Sequence, residues 1–125
     1  MSKALLMASA ITLFLAVGLG AFGAHGLKGR IDTDMMAVYQ TAVQYQFWHG
    51  LGLGLIAVLM RQFPEAVLLK WTGWLMLAGI GIFSGSLYVL ALTGLRWLGA
   101  ITPLGGTCFL AAWLLLAVFA WRSAD

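Results

Sequence analysis

Two histidines, His25 and His49, carry the side chains most open to chemistry near neutral pH. An imidazole can carry a proton, bind a metal or haem iron, or activate a hydroxyl. Tyr45 stands four residues before His49 and Gln46 three before it, spacings that place all three on one face of a helix. Ser84, Ser86 and Thr102 add hydroxyls, and Cys108 is the single thiol. Each has a plainer reading. His49 reads first as a hydrogen-bonded core residue that fixes helix register, with proton handling or ligand binding as the sharper alternative. Two histidines with no cysteine or carboxylate beside them are a weak metal signal, so neither a metal nor a cofactor is expected. Serines within helices ordinarily bond back to their own helix or to a neighbour. No nucleophile stands with a base and an orienting acid, so no catalytic residue is assigned and no enzymatic activity is expected. Cys108 lies in an apolar run and reads as a packing residue.

Apolar rods must position these groups. Of 125 residues, 62% are hydrophobic and 9% charged, against about 25% charged in a soluble domain. A chain this small has more surface than core, and four acids with seven bases cannot supply a polar shell. Its outer surface must face lipid. The bases, Lys3, Lys28, Arg30, Arg61, Lys70, Arg96 and Arg122, are scattered singly. No run of them could follow a phosphate backbone, which excludes nucleic acid as a partner.

A membrane-spanning helix needs about 20 apolar residues. Four stretches qualify, at 4–24, 41–60, 70–92 and 99–121, with an amphipathic helical lead-in at 34–46. The first exceeds the apolar core of a signal peptide and reads as a span. Gly26 and Gly29 are expected to end it, and Asp32, Thr33 or Asp34 to cap the next helix. Pro64 breaks the chain between spans two and three, and Thr93-Gly94-Leu95-Arg96 turns it between three and four. The expected fold is an all-α, integral membrane, four-helix up-down bundle forming one domain.

Up-down topology brings the end of span one, the start of two, the end of three and the start of four to one membrane face. That face collects His25, Tyr45, Gln46, His49, Ser84, Ser86 and Thr102, with Gln44 and Tyr88 beside them. Polar groups at lipid depth are costly unless paired, so these should turn inward toward one another. Small residues allow close helix approach, and Gly20, Gly50, Gly54, Gly81, Gly85, Gly105 and Gly106 are the expected packing positions. Four bases fall on one face and three on the other, and the free amino terminus favours both termini in the cytoplasm.

Four stretches, in order, resemble the DUF423 family, also called UPF0382 and related to eukaryotic transmembrane protein 256. They are Gly20-Ala21-Phe22-Gly23-Ala24-His25-Gly26-Leu27, Tyr45-Gln46-Phe47-Trp48-His49, Phe83-Ser84-Gly85-Ser86-Leu87-Tyr88, and Thr102-Pro103-Leu104-Gly105-Gly106 with Trp113 beyond. The resemblance implies a small multi-pass protein, of the inner membrane in bacteria, and supplies neither an activity nor catalytic residues. The expected role is a structural or accessory bundle whose partners are the lipid bilayer and a second copy or another membrane protein. The alternative is a small-solute or ion transporter or channel acting as an oligomer. No Asp or Glu lies in any span, which removes the usual carboxylate of proton-coupled exchange.

Overall fold

Asp32 opens the longest helix in the computed structural model, which describes residues 1–123. Its carboxylate accepts the Met35 N–H at 2.7 Å, satisfying one of the free donors of the first turn. Helix α2 then runs Thr33–Gln62 without a break, with Asp34 in its first turn and Arg61 in its last, both suited to the helix dipole. The lead-in and the span expected from the sequence are therefore one continuous rod.

Helix α1, Ser2–Phe22, precedes it and closes in a π turn, Gly23–Leu27. Helices α3, Val67–Gly79, and α4, Gly85–Thr93, are joined by a second π turn, Ile80–Ser84, and form one rod. Gly94 ends that rod in the left-handed region at φ 74°, a conformation open to glycine because it lacks a Cβ. A 3-10 turn, Arg96–Ala100, leads into α5, Thr102–Arg122, with Pro103 in the first turn, where its missing N–H costs nothing.

The protein is thus an all-α membrane bundle of four rods. Three of them, Ser2–Leu27, Val67–Thr93 and Arg96–Arg122, are long and apolar enough to cross a bilayer, with mean hydropathy of 2.0–2.2. Helix α2 is not among these three, and its place in the fold explains why. It packs on α1, α3, α4 and both π turns. That packing lets it carry Gln46 and His49 on its buried faces. The outer rods invert this pattern, presenting Phe14, Val17, Leu110 and Leu114 outward.

The interior divides along its length. Toward the Arg61 end, Leu5, Leu53, Ile56, Ala57, Leu69, Met76 and Ala112 form an apolar core. Toward the other end, Leu27, Tyr39 and Ala91 draw together the end of α1, the start of α2 and the end of α4. Ala42, Leu87, Leu90 and Leu98 continue that layer to the 3-10 turn.

Candidate functional site

Of the polar residues expected to converge, Gln46, His49, Ser84, Ser86 and Thr102 bond to neighbouring rods, as separate pairs rather than one cluster. Gln46 is buried on α2 and bridges two other helices. Its Nε2 donates to the Thr12 carbonyl of α1 at 2.9 Å, and its Oε1 accepts the Tyr88 hydroxyl of α4 at 2.5 Å. A carbonyl only accepts and the phenol here donates, so both partners agree on the orientation of the amide. Tyr88 also meets Tyr39 edge to face, with ring centroids 5.3 Å apart, and Tyr39 donates its hydroxyl to the Leu19 carbonyl. Three rods are tied together, at Gln46 and again about two turns away at Tyr39.

His49, one turn further along α2, is held at both nitrogens. Nδ1 lies 2.9 Å from the Tyr45 carbonyl, and Nε2 lies 2.9 Å from the Trp113 indole nitrogen of α5. The carbonyl can only accept and the indole can only donate. Nδ1 therefore carries the proton, Nε2 is bare, and the imidazole is neutral. The ring stacks on Phe109 at a centroid distance of 3.5 Å. No lone pair is left for a metal unless the indole moves, and among the described residues no group of three or more His, Cys, Asp or Glu is placed to hold one.

Ser84, at the end of the second π turn, donates to the Ala42 carbonyl of α2 at 2.8 Å. Ser86 and Thr102 share a bond of 2.6 Å between their hydroxyls, joining α4 to the start of α5. Neither serine bonds to His49. Among the described residues, no buried side-chain nitrogen or oxygen lacks a partner.

Two expectations need correction. His25 is not in the polar set. It is exposed on the π turn and makes no side-chain hydrogen bond among the described residues. The turn buries Gly23 and Leu27 on either side of it, which leaves His25 facing outward. Gly81 and Gly85 are not seams within the bundle, since an added Cβ would meet nothing within 4 Å at either. The contacts on that rod are at Gly73, where a Cβ would press on the Leu5 side chain at 2.7 Å, and at Gly79, where it would press on the Phe109 ring at 2.5 Å. Of the other glycines, Gly50 faces the Leu13 side chain, Gly54 faces the Ser9 hydroxyl at 3.0 Å, and Gly20 meets Val43 at 3.4 Å. Gly105 is the tightest, because a Cβ there would strike the Phe83 backbone in the π turn. Gly106 is looser, with only the Phe83 ring at 3.9 Å.

Sequence reasoning missed Ser9, which is buried and donates to the Gly50 carbonyl at 2.6 Å. A small hydroxyl on α1 opposite the Gly50 and Gly54 pair was the available signal. It also missed the role of Trp113, which had registered only as an aromatic residue beyond a motif.

Tyr45, His49, Phe83, Gly106, Phe109 and Trp113 border an open groove of about 560 Å³ between α2, the π turn and α5. Tyr45 and Phe83 lie 4.3 Å apart between ring centroids, and Phe83 and Phe109 5.5 Å, so the wall is largely aromatic.

The family described as "Protein of unknown function (DUF423)" matches residues 19–106 of the chain. A UPF0382 membrane protein of Staphylococcus haemolyticus is 46% identical over 120 residues, covering 96% of this chain and 97% of that protein. UPF0382 membrane protein YwdK of Bacillus subtilis is 48% identical over 118 residues, covering 94% and 96% respectively. A UPF0382 membrane protein of Staphylococcus epidermidis is 46% identical over 116 residues, covering 93% of each chain. No solved structure matches the chain.

Proposed function

The chain belongs to the DUF423 family, and on that premise we propose that this small integral membrane protein is a non-enzymatic structural or accessory bundle. The observation that carries the reading is the use of its polar interior. Gln46, His49 and Ser84 each cross-link α2 to another rod, and Ser86 joins Thr102 on the next. Such bonds set register and azimuth between helices, which lipid alone does not specify. They also leave no Ser–His pair, since the Ser84 hydroxyl goes to a backbone carbonyl.

The proposed setting is the cytoplasmic membrane, with both termini on the cytoplasmic side and spans near 4–24, 41–60, 70–92 and 99–121. The bacterial sources of its relatives and their description as membrane proteins support this placement. The outward, uncontacted Gly81 and Gly85 support a second copy or another membrane protein as the accessory partner.

A second reading, a small-solute or ion transporter acting as an oligomer, is favoured by the groove along His49. Against it, Ser84 does not border that groove and is buried in its bond to Ala42. Proteoliposomes separate the two. The accessory reading expects wild-type vesicles to pass protons and monovalent cations no faster than empty vesicles, while His49→Ala lowers the stability of the purified protein. A flux above empty vesicles that His49→Ala abolishes would overturn it.

A further inference from the structure

We infer that the groove between α2, the second π turn and α5 is a binding site for a lipid-soluble molecule with a flat ring carrying a hydrogen-bond acceptor, of the quinone type. The inference goes beyond the accessory role and concerns binding alone.

Three observations converge on it. The first is an unused donor. The chain has three tyrosines, and Tyr39 and Tyr88 both donate their hydroxyls to groups on other rods. Tyr45 borders the groove and is half-buried, and among the described residues its hydroxyl makes no hydrogen bond to the protein. It sits inside the proposed second span, where hydrocarbon offers no acceptor and an unmet polar group is costly. A carbonyl on the occupant would meet it. Thr107 already donates to the Pro103 carbonyl at 2.9 Å, so the groove offers one free donor at Tyr45 rather than a polar pocket.

The second is the wall. An acyl chain would be covered as well by leucine and isoleucine as by rings. Here Tyr45 and Phe83 line the groove with ring centroids 4.3 Å apart, backed by the buried Phe109 and His49 rings, which stack on each other at 3.5 Å. Ring faces and edges favour offset or edge-on partners that are themselves flat. The third is the room. The volume of about 560 Å³ lies within the usual range of small-molecule sites, about 300–1,000 Å³. Gly106 borders it, and an added Cβ there would meet only the Phe83 ring, at 3.9 Å. An occupant arriving from the bilayer could leave an apolar tail among the lipids.

The test measures equilibrium binding of a decyl-substituted benzoquinone to the full-length protein in phosphatidylcholine nanodiscs, with empty nanodiscs subtracted. Wild type is expected to show a saturable one-to-one component. Tyr45→Phe should weaken it about tenfold through loss of one hydrogen bond at low dielectric. Gly106→Leu should abolish it by filling the groove, and Gly81→Leu, on an outward face, should leave it unchanged. Absence of a saturable component in wild type would overturn the inference, leaving the groove to lipid acyl chains. Wild-type affinity retained in Tyr45→Phe, or in a folded Gly106→Leu, would also overturn it. The vesicle flux result does not bear on these outcomes, so this site and the accessory role fail independently.

Discussion

Trp113 of α5 donates its indole N–H to the bare Nε2 of His49 on α2 at 2.9 Å, across 64 positions of sequence. The bond selects one imidazole tautomer, and it joins α2 to α5 beside the stack of His49 on Phe109. The most chemically versatile side chain of the protein is thereby held as a neutral crosslink.

This pair should be measurably coupled. In a double-mutant cycle of His49→Ala and Trp113→Phe, read by reversible unfolding in mixed micelles, the interaction term is expected at about 0.6–1.7 kcal/mol. Strict additivity would mean that the bond contributes nothing to stability.

Gln46 should be worth more than either partner alone. Gln46→Ala removes two cross-helix bonds and leaves the Tyr88 hydroxyl without its acceptor, so a loss of about 2–3 kcal/mol is expected. Tyr88→Phe removes one bond and leaves Gln46 anchored to Thr12, at a cost of about 1 kcal/mol. The same unfolding measurement orders the two, and equal losses would argue against the bridge.

The glycines should separate into two classes. Gly105→Ala drives a methyl into the Phe83 backbone, and a cost above about 1–3 kcal/mol is expected, as for overpacking elsewhere. Gly81→Ala and Gly85→Ala meet open space and should be neutral or stabilising by up to about 1 kcal/mol through helix propensity. Should either outward substitution instead dissociate an oligomer on size exclusion in mild detergent, that face is a seam between chains.

Labelling should report the order of the rods. In a Cys108→Ser background, membrane-impermeant maleimide is expected to reach Lys28→Cys and Arg96→Cys from one side of sealed vesicles. Glu65→Cys should react from the other. The proposed cytoplasmic termini require Glu65→Cys to be the cytoplasmic one, and the reverse pattern would invert the orientation while keeping the bundle.

Much of this is legible in the sequence. Charge scarcity and long apolar runs compel a lipid-facing exterior, because no other solvent suits that surface. Breaks at Gly26 and Gly29, at Pro64 and at Gly94 compel four rods, and rods joined by short turns must alternate in direction. That alternation alone carries Gln46, Ser86, Tyr88 and Thr102 toward one end. The Asp32 cap was among three residues able to serve. The π turns at Gly23–Leu27 and Ile80–Ser84 left no comparable mark. A π turn keeps helical composition and changes only the phase of the residues after it.

Composition and order thus determined the solvent, the number of rods and the end at which polar groups gather, since each depends on counts along the chain. The tertiary structure decided which rod is enclosed, that His49 pairs with Trp113 while His25 faces out, and that Gly105 is a seam while Gly81 is not. Those outcomes depend on the azimuth of each helix about its axis. A uniformly apolar rod has no strong preferred face, so its rotation is set only when neighbouring side chains interlock and buried donors find acceptors on the adjacent helix.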